Sequence, residues 1–484
     1  MVSLQNIKLS MKANLIIVIS LFVAVITEAQ VKKPVLTLPP PTVDQRVEIV
    51  SIAARLAEYQ EYNSDVNKAY VQDIHKYFDK YKQHALINYL REIRHTNSIS
   101  YDAVMAMAVY LTPPPDLSPV VDFNSNVPEA RWGKLAATKF TGLLQQFYYE
   151  TNASLFFNNH KAGYDLATAR IGKVFKQLDV NWFQQYYGVK PASRFNVIVA
   201  PGNGGANYST QVNYPNGTAI SYAILGTWKL DDNGEPDYTS AAYLPTLIHE
   251  FNHSFVNYLT AKNEASLYIA GKILYQSDSA KMQSQAYGDW KIMLNESLVR
   301  ASVIRYLMSH NTNPAVADRE MKLQLSKGFV WIRQLTELLG IYEKNRKRYP
   351  TLESFMPQLI KFYNITATNI SSIQSDYNKK LAHVSAIKPF NNGDNKVNAQ
   401  LTTIKVYFDK PLSGEGVSIT WGKGTNQHYP ITRFLGYTNN NTAITLAVAL
   451  QPGLDYQFIL TGASFQTPDG YPLQDYEVHF KTAQ

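Results

Sequence analysis

Residues 244–259 read LPTLIHEFNHSFVNYL, and the apolar residues in this stretch recur at spacings of three and four. That period predicts an amphipathic helix with one apolar stripe. The stripe consists of Leu244, Leu247, Ile248, Phe251, Phe255 and Tyr258. Pro245 would occupy the first helical position, where a missing N–H costs little. His249 and His253 fall beside the stripe, so the helix is predicted to form the floor of a cleft.

The same stretch contains HEFNH at residues 249–253, which matches the pattern H-E-x-x-H. Side chains four residues apart lie on one face of a helix, so His249 and His253 can bind a single zinc ion. Glu250 points to the neighbouring face, from which its carboxylate can take the proton of a water on that ion. This arrangement is typical of metallopeptidases. The alternative is two ordinary histidines beside a core face, since most histidines in proteins are not ligands.

A zinc peptidase of this type needs a third protein ligand, and Glu296 is the best candidate. It lies in a second predicted helix, WKIMLNESLVRASV at residues 290–303. The apolar residues that share its stripe are Ile292, Met293, Val299 and Val303. A carboxylate within an apolar stripe is costly unless a cation or hydrogen bonds compensate it, and zinc would do so. The alternative is a Glu296–Arg300 ion pair on a solvated face, worth about 0.3 to 0.5 kcal/mol.

HEFNH, followed about forty residues later by LNES at residues 294–297, resembles the gluzincin clan of zinc peptidases. The Leu-Asn-Glu-small pattern is similar to the aminopeptidase branch of that clan. The resemblance implies that His249, His253 and Glu296 bind Zn²⁺ and that Glu250 is the general base.

The resemblance covers roughly residues 238–307. Arg300 departs from it, because thermolysin-like enzymes carry an acid in that turn after the third ligand. No counterpart of the aminopeptidase substrate-anchoring motif precedes the first helix, so exopeptidase and endopeptidase activity both stay open. As a whole, the chain resembles uncharacterised secreted bacterial HExxH proteins.

The first thirty residues read as a targeting segment. Lys8 and Lys12 precede an apolar run over residues 15–26, and Ala29 offers a small residue for cleavage. This pattern predicts a signal peptide over residues 1–30, and therefore a secreted or periplasmic protein. The alternative is an uncleaved membrane anchor.

Composition narrows the chemistry further. The chain has 484 residues and no cysteine, which excludes disulfides and thiol catalysis and leaves histidine and carboxylate as zinc ligands. Its 46 basic and 38 acidic residues give a net charge of +8 without a dominant basic block. Scattered charge on an exported protein argues against nucleic acid as a partner.

The segment before the catalytic helices is predicted in two parts. Residues 31–43 contain three consecutive prolines and read as an extended linker. Residues 44–190 show helical periods, and Asp44 is positioned to cap the first helix.

Residues 191–386 are predicted to form the catalytic core, and together with the helical part they make a zincin-like domain over 44–386. Strands are expected at 195–200 and 219–228, separated by a glycine- and asparagine-rich loop. Helices resume over about 265–377. A small sheet next to the H-E-x-x-H helix could pair an edge strand with an extended substrate.

Two loop motifs carry less weight. PGNGGA at residues 201–206 lacks the sequence of a phosphate loop or a dinucleotide fingerprint, and it favours a turn that could border the cleft. DDNGEPD at residues 231–237 alternates oxygen ligands, but its glycine is misplaced for a calcium loop. Its Asn-Gly pair instead favours a hairpin turn.

Residues 387–484 change from helical to alternating periodicity, as in Ile404, Val406 and Phe408. This alternation predicts an all-β sandwich, and the segment resembles bacterial Ig-like modules appended to secreted enzymes. The resemblance implies a spacer or adhesion role with possible association with the cell envelope. The expected fold class is α+β: a largely helical zincin-like domain with a small sheet, followed by the sandwich.

The sequence thus favours a secreted zinc metallopeptidase acting on peptides or proteins, with Arg300, Tyr287 or Tyr306 as candidates for stabilising the oxyanion. The alternative is a non-catalytic envelope protein that binds peptides or glycans and has a structural or vestigial zinc site. Glu250 argues against that alternative, since a structural site needs no general base. Substrate preference and oligomeric state stay open.

Overall fold

The computed structural model describes residues 38–191, 193–311, 313–422 and 428–484. The signal peptide predicted over residues 1–30 lies outside these ranges. Within them, no helix combines the length and the apolarity needed to cross a membrane. The described chain has an α+β architecture, in which helices and small sheets occupy mostly separate segments.

The region predicted to be helical over residues 44–190 is mostly helical. Its helices are α1 (Gln45–Leu56), α2 (Lys68–Phe78), α3 (Ala85–Thr96), α4 (Asp102–Val109), α5 (Gly133–Glu150), α6 (Ala153–Asn159), α7 (Lys161–Phe175) and α8 (Val180–Tyr187). Asp44 caps α1 as predicted, because its carboxylate accepts a 2.9 Å hydrogen bond from the Arg46 N–H. This bond satisfies one of the amides that the first turn of a helix leaves unpaired.

A four-stranded sheet borders these helices. Its strands are β1 (Thr42–Val43), β2 (Arg194–Val199), β3 (Asn207–Asn213) and β4 (Ala219–Leu225), in the order β1-β2-β4-β3. β1, β2 and β4 run parallel, whereas β3 is antiparallel to β4 and lies at the edge. The prediction of only a loop between β2 and β4 is therefore wrong, because that segment contains β3. The last residues of the predicted linker form β1.

The sheet and the N-terminal helices share one hydrophobic core. Ile198 of β2 and Ile224 of β4 pack in the same cluster as buried residues of α1, α3, α4 and α5. The helical region thus packs against the sheet, and no described strand pairs with the outer edge of β3.

The helices that follow the sheet are α9 (Ser240–Lys262), α10 (Glu264–Gln276), α11 (Ser279–Ser284), α12 (Trp290–His310), α13 (Pro314–Ser326), α14 (Ile332–Lys344) and α15 (Leu352–Asn378). α12 is central, because it packs against α9, α10, α13 and α14. α9 begins at Ser240, so Pro245 lies inside the helix and its predicted first position is wrong. Pro245 has no N–H for the Ala241 carbonyl, and Ala241 lines a cavity where water can reach it.

The C-terminal segment forms two further sheets. The strands are β5 (Val384–Lys388), β6 (Thr403–Phe408), β7 (Ile419–Thr420), β8 (Ile431–Thr438), β9 (Ala443–Val448), β10 (Asp455–Leu460) and β11 (Tyr476–Lys481). Their orders are β5-β6-β9-β8 and β11-β10-β7. Alternate residues of both sheets, such as Ile404, Phe458 and Val478, form one buried cluster. β5 begins just before the predicted boundary at residue 387.

A buried carboxylate holds the glycine-rich loop that follows β2. Glu48 of α1 is completely buried, and its oxygens accept hydrogen bonds of 3.2 Å from the Gly202 N–H and 2.6 Å from the Tyr70 hydroxyl. A Cβ on Gly202 would lie 2.9 Å from the Glu48 carboxylate. Close approach to this carboxylate accounts for Gly202, and the positive φ of 70° at Gly204 accounts for a second glycine of PGNGGA.

Glu48 predicts a measurable pH dependence of stability. Burial raises the pKa of its carboxyl from 4.5 to about 7, although the hydrogen bonds from Tyr70 and Gly202 oppose the shift. The folded protein therefore retains a proton that the unfolded chain loses, and the contribution of Glu48 to the free energy of unfolding falls as pH rises through this window. The free energy of unfolding should fall by at most about 3 kcal/mol through this effect. The fall should be complete once the pH exceeds the pKa of Glu48 in the folded protein.

Glu48→Gln should remove this component. Thermal melts at about pH 5 and about pH 8 should show a smaller loss of Tm with rising pH in the variant than in the wild type. Equal losses in both proteins would show that Glu48 is ionised over the whole range.

Candidate metal centre

Helix α9 brings two imidazoles together. His249 and His253 are one turn apart, and their Nε2 atoms lie 3.1 Å from each other. Their side chains are 17% and 14% exposed, so both rings are mostly shielded but reachable from a cavity. The predicted placement of both histidines on one helical face is confirmed.

Helix α12 supplies the third group. Asp289 caps this helix by accepting hydrogen bonds from the Lys291 and Ile292 N–H groups. Glu296 follows in the second turn, and its carboxylate oxygens lie 3.3 Å from Nε2 of His253 and 3.5 Å from Nε2 of His249.

The predicted apolar stripe around Glu296 needs one correction. Met293, Val299 and Val303 are buried, but Ile292 is 43% exposed and lines the cavity. Glu296 therefore lies at the border between the core and the cavity. A group at such a border can be shielded and still contact a ligand.

The three side chains together fit a metal ion. One donor atom from each of His249, His253 and Glu296 can be chosen so that all lie within 4.8 Å of one another. The two Nε2 atoms lie 3.1 Å apart, and different oxygens of Glu296 face them at 3.3 and 3.5 Å, so small side-chain rotations would bring one donor from each residue to the zinc–ligand distances of about 2.0 to 2.2 Å. The cluster could therefore bind a metal without rearranging its helices.

The remaining contacts of Glu296 are cationic and polar. Its Oε2 atom forms an ion pair with Arg300 at 3.0 Å and accepts a 3.1 Å hydrogen bond from the Tyr287 hydroxyl, and Arg300 also donates to Tyr287. The predicted ion pair between Glu296 and Arg300 exists, but both side chains are only 10% exposed, so it is not on a solvated face. Oε2 faces Arg300, Tyr287 and His249, whereas Oε1 faces His253.

These neighbours control the ionisation of the cluster. Burial alone would raise the pKa of the Glu296 carboxyl, but the imidazoles and the Arg300 guanidinium hold it well below its usual value. Burial lowers the pKa of His249 strongly. Burial also acts to lower the pKa of His253, but Glu296 outweighs it and raises that pKa to about 9. A metal ion would compete with a proton for this site, because imidazole binds metals in its neutral form.

Two asparagines orient His253, and sequence reasoning missed both. The Asn257 side-chain oxygen lies 2.9 Å from Nδ1 of His253 and accepts a 2.7 Å hydrogen bond from Asn295. An oxygen acceptor next to Nδ1 places the ring proton there, which leaves Nε2 free to bind a metal. The spacing of four residues between His253 and Asn257 was the available signal. The contribution of Asn295 depends on the packing of α12 against α9.

Glu250 is buried beside the cluster but does not join it. Its side chain is close to Ser209 of β3, and its Oε2 atom has no hydrogen-bond partner among the described residues. Burial raises the pKa of this carboxyl. A buried carboxylate oxygen without a protein partner is available to a ligand or water that enters the cavity.

All these groups line one cavity of about 1340 Å³. Its walls come from β3, α9, α12, α13 and the loop before α12. Ala286 in that loop has a φ of 64°, a left-handed conformation that alanine rarely adopts, next to Tyr287. Asn207 to Gln211 of the β3 edge strand line the opposite wall.

The structure decides two other predictions made from the sequence, which concern the oxyanion candidates and the 231–237 loop. Tyr306 is wrong as an oxyanion candidate, because its hydroxyl accepts a 2.6 Å hydrogen bond from the Asp179 N–H and does not line the cavity. Tyr287 and Arg300 both line it. In the 231–237 loop, Asp231 accepts hydrogen bonds from the Asn233 and Glu235 N–H groups and forms a turn, as the Asn-Gly pair predicts.

A comparison with known protein families matches most of the chain to one family. Residues 41–362 match the family described as "Domain of unknown function (DUF4932)". The chain belongs to the DUF4932 family. The matched range includes the sheet, both helices of the metal cluster and every residue discussed around it.

Other comparisons add little. No curated protein matches the chain. Among solved structures, "Structure of surface layer protein SbsC, domains 1-6" matches at 15% identity with a TM-score of 0.17, over 53% of this chain and 35% of that chain. "Crystal structure of the N-terminal part of the bacterial S-layer protein SbsC" matches at 15% identity with a TM-score of 0.16, over 53% and 60% of the two chains. The matches span about a third to three fifths of those chains, and such TM-scores carry no argument about fold or function.

Proposed function

We propose that this chain is a secreted zinc-dependent peptidase that hydrolyses peptide bonds with Glu250 as general base. The observation that carries the proposal is the meeting of three metal-binding atoms and an unpartnered buried carboxylate oxygen in one cavity. Two imidazoles and one carboxylate form a donor set that catalytic zinc sites use. The described residues bring three donors together, whereas structural zinc sites usually have four.

The roles of the residues follow from what each one touches. Zinc bound by His249, His253 and Glu296 would supply a Lewis acid for the scissile carbonyl and lower the pKa of water toward neutrality. Glu250 accepts the proton of the attacking water on its free oxygen and returns it to the leaving amine. A free oxygen suits this role because no existing hydrogen bond has to break first.

Tyr287 is the best candidate for stabilising the oxyanion. Its hydroxyl faces the cavity beside Glu296, and it can donate to a substrate oxygen bound near the cluster by exchanging its hydrogen bond to Glu296 for one to the substrate. Arg300 contacts both Glu296 and Tyr287 and is the positioning residue for this pair. Its Nη1 group donates a 2.8 Å hydrogen bond to the Gln324 side-chain oxygen, which helps to hold the guanidinium in this place.

The β3 edge offers the means to bind an extended peptide. An edge strand presents backbone N–H and C=O groups that another strand can pair with, and this part of β3 faces the cavity. Pairing there would place a substrate backbone across Glu250, since Ser209 of β3 is next to that carboxylate. The zincin-like arrangement that we propose rests on this order of sheet, α9 and α12.

The flanking segments are assigned by the same proposal. The sequence of residues 1–30 supports export, and the two C-terminal sheets support an Ig-like spacer that could hold the enzyme at the cell envelope. Peptides or proteins outside the cytoplasm are then the substrates.

A peptide-library digest tests this function. Zinc-loaded full-length protein should cleave members of a diverse library, a chelator should abolish cleavage, and added zinc should restore it. Mass spectrometry of the products reports the cleavage sites. A zinc-loaded protein that cleaves no peptide would refute the proposal, and so would cleavage that survives complete removal of the metal.

A further inference from the structure

Lys327 is a cation in the cavity that has no partner among the residues that the structure describes. Lys327 follows the last turn of α13, lines the cavity with Arg300, and is half-buried. Its ammonium forms no ion pair or hydrogen bond with any described residue. Burial and the nearby Arg300 lower its pKa. A half-buried, unpaired lysine is unfavourable unless something binds it.

The acids nearest to Lys327 are already engaged. Glu296 is bound by Arg300, and Glu320 accepts a 2.6 Å hydrogen bond from the Gln324 amide. Gln324 in turn accepts a 2.8 Å hydrogen bond from Arg300. Within the described part of the chain, these contacts leave the Lys327 ammonium available to a molecule in the cavity.

The position of Lys327 at a helix end has a second explanation. Cations near a helix C-terminus stabilise the helix through its dipole, and Lys327 is the C-terminal cap of α13. The helix dipole explains why a basic residue follows α13. It would stabilise the helix equally well if the Lys327 side chain pointed to solvent. It does not explain why the side chain lines the cavity.

Two apolar residues that line the same cavity as Lys327 suit an aliphatic stem. Val303 is buried, and Leu323 is 46% exposed although it lines the same cavity. A glutamate side chain, or the last residue of a peptide, combines apolar atoms with a terminal carboxylate and would match both features.

We infer that Lys327 binds a carboxylate of the peptide substrate in the cavity beside the metal cluster. The carboxylate belongs either to an acidic side chain or to the end of the peptide, and it forms an ion pair with the ammonium while its stem packs on Val303 and Leu323. Lys327 is then a specificity-determining residue. The inference rests on the proposed function for the peptide nature of the ligand, but binding does not require turnover.

Binding to non-cleaving protein tests the inference. Zinc-loaded Glu250→Gln full-length protein is titrated with three fluorescent peptide pools: one with a fixed glutamate and an amidated end, its glutamine counterpart, and that counterpart with a free C-terminal carboxylate. One of the two acidic pools should bind about 10 to 100 times more tightly than the amidated glutamine pool, and more so at low salt. The pool that binds tightly identifies the source of the carboxylate.

Second substitutions in this protein locate the effect. Lys327→Gln should abolish the preference and leave the affinity for the neutral pool unchanged, whereas Lys327→Arg should retain it. Lys281→Gln is the matched control, because Lys281 is exposed nearby and does not line the cavity.

The outcomes are distinguishable from those of the proposed function. A Lys327-dependent preference in a protein whose wild type cleaves nothing would support this inference and refute the peptidase. A wild type that cleaves peptides without any acidic preference would overturn this inference alone. A Lys327→Gln variant with a lower Tm and an unchanged acidic preference would also overturn it, because Lys327 would then only stabilise α13.

Discussion

Replacing Glu250 with glutamine should lower peptide hydrolysis by a factor of about 100 to 10,000, the usual contribution of a positioned general base. The amide is nearly isosteric with the carboxylate but cannot accept the proton of the attacking water. Zinc content should not change, because Glu250 lies outside the cluster formed by His249, His253 and Glu296. Turnover of a cleaved library peptide, metal content and Tm are measured on the same preparation.

Glu92→Gln is the control for this substitution. Glu92 is exposed on α3 and does not line the cavity, so its replacement changes the net charge equally and should leave turnover unchanged. A Glu250→Gln enzyme as active as the wild type would remove Glu250 from the mechanism. Loss of zinc in that variant would instead show that Glu250 is a ligand.

His253→Ala should weaken zinc binding more than any substitution outside the cluster. Removing one of three protein ligands should lower zinc affinity by more than the roughly 10- to 100-fold typical of a lost supporting contact. Asn257→Ala gives that smaller loss, because Asn257 touches His253 and not the ion. Competition with a chromophoric chelator measures both affinities.

His95→Ala is the matched histidine control. His95 is exposed on α3 and is not among the residues that line the cavity, so its loss should not alter zinc affinity. Equal affinity in His253→Ala and His95→Ala would contradict the assignment of the cluster as the zinc site.

The sequence predicted the local part of this site well. The placement of His249 and His253 on one face depends only on the helical repeat, and the apolar spacing around them established the helix. The partnership with Glu296 followed from chemistry, since a carboxylate among buried residues needs compensation. The spacing of four residues also indicated that Arg300 pairs with Glu296. Spacing alone could not show that this ion pair is buried.

The parts that sequence missed depend on contacts distant in the chain. β3 reads NYSTQVN, with few apolar residues, because an edge strand is stabilised by pairing with β4 more than by burial of its own side chains. Asn295 and Lys327 gain their roles only when α12 and α13 pack around the cavity. The prediction that Pro245 begins the helix was wrong because a proline inside a helix is tolerated where the carbonyl four residues earlier can bind water.

X-ray absorption at the zinc edge of the zinc-loaded wild type tests the central claim most directly. The account predicts about one tightly bound zinc per chain, with a first shell of nitrogen and oxygen at about 2.0 to 2.2 Å and the outer-shell scattering of two imidazoles. Loss of one imidazole signature in His253→Ala would complete the assignment. A protein that binds no zinc tightly, or a zinc shell without imidazole, would contradict it.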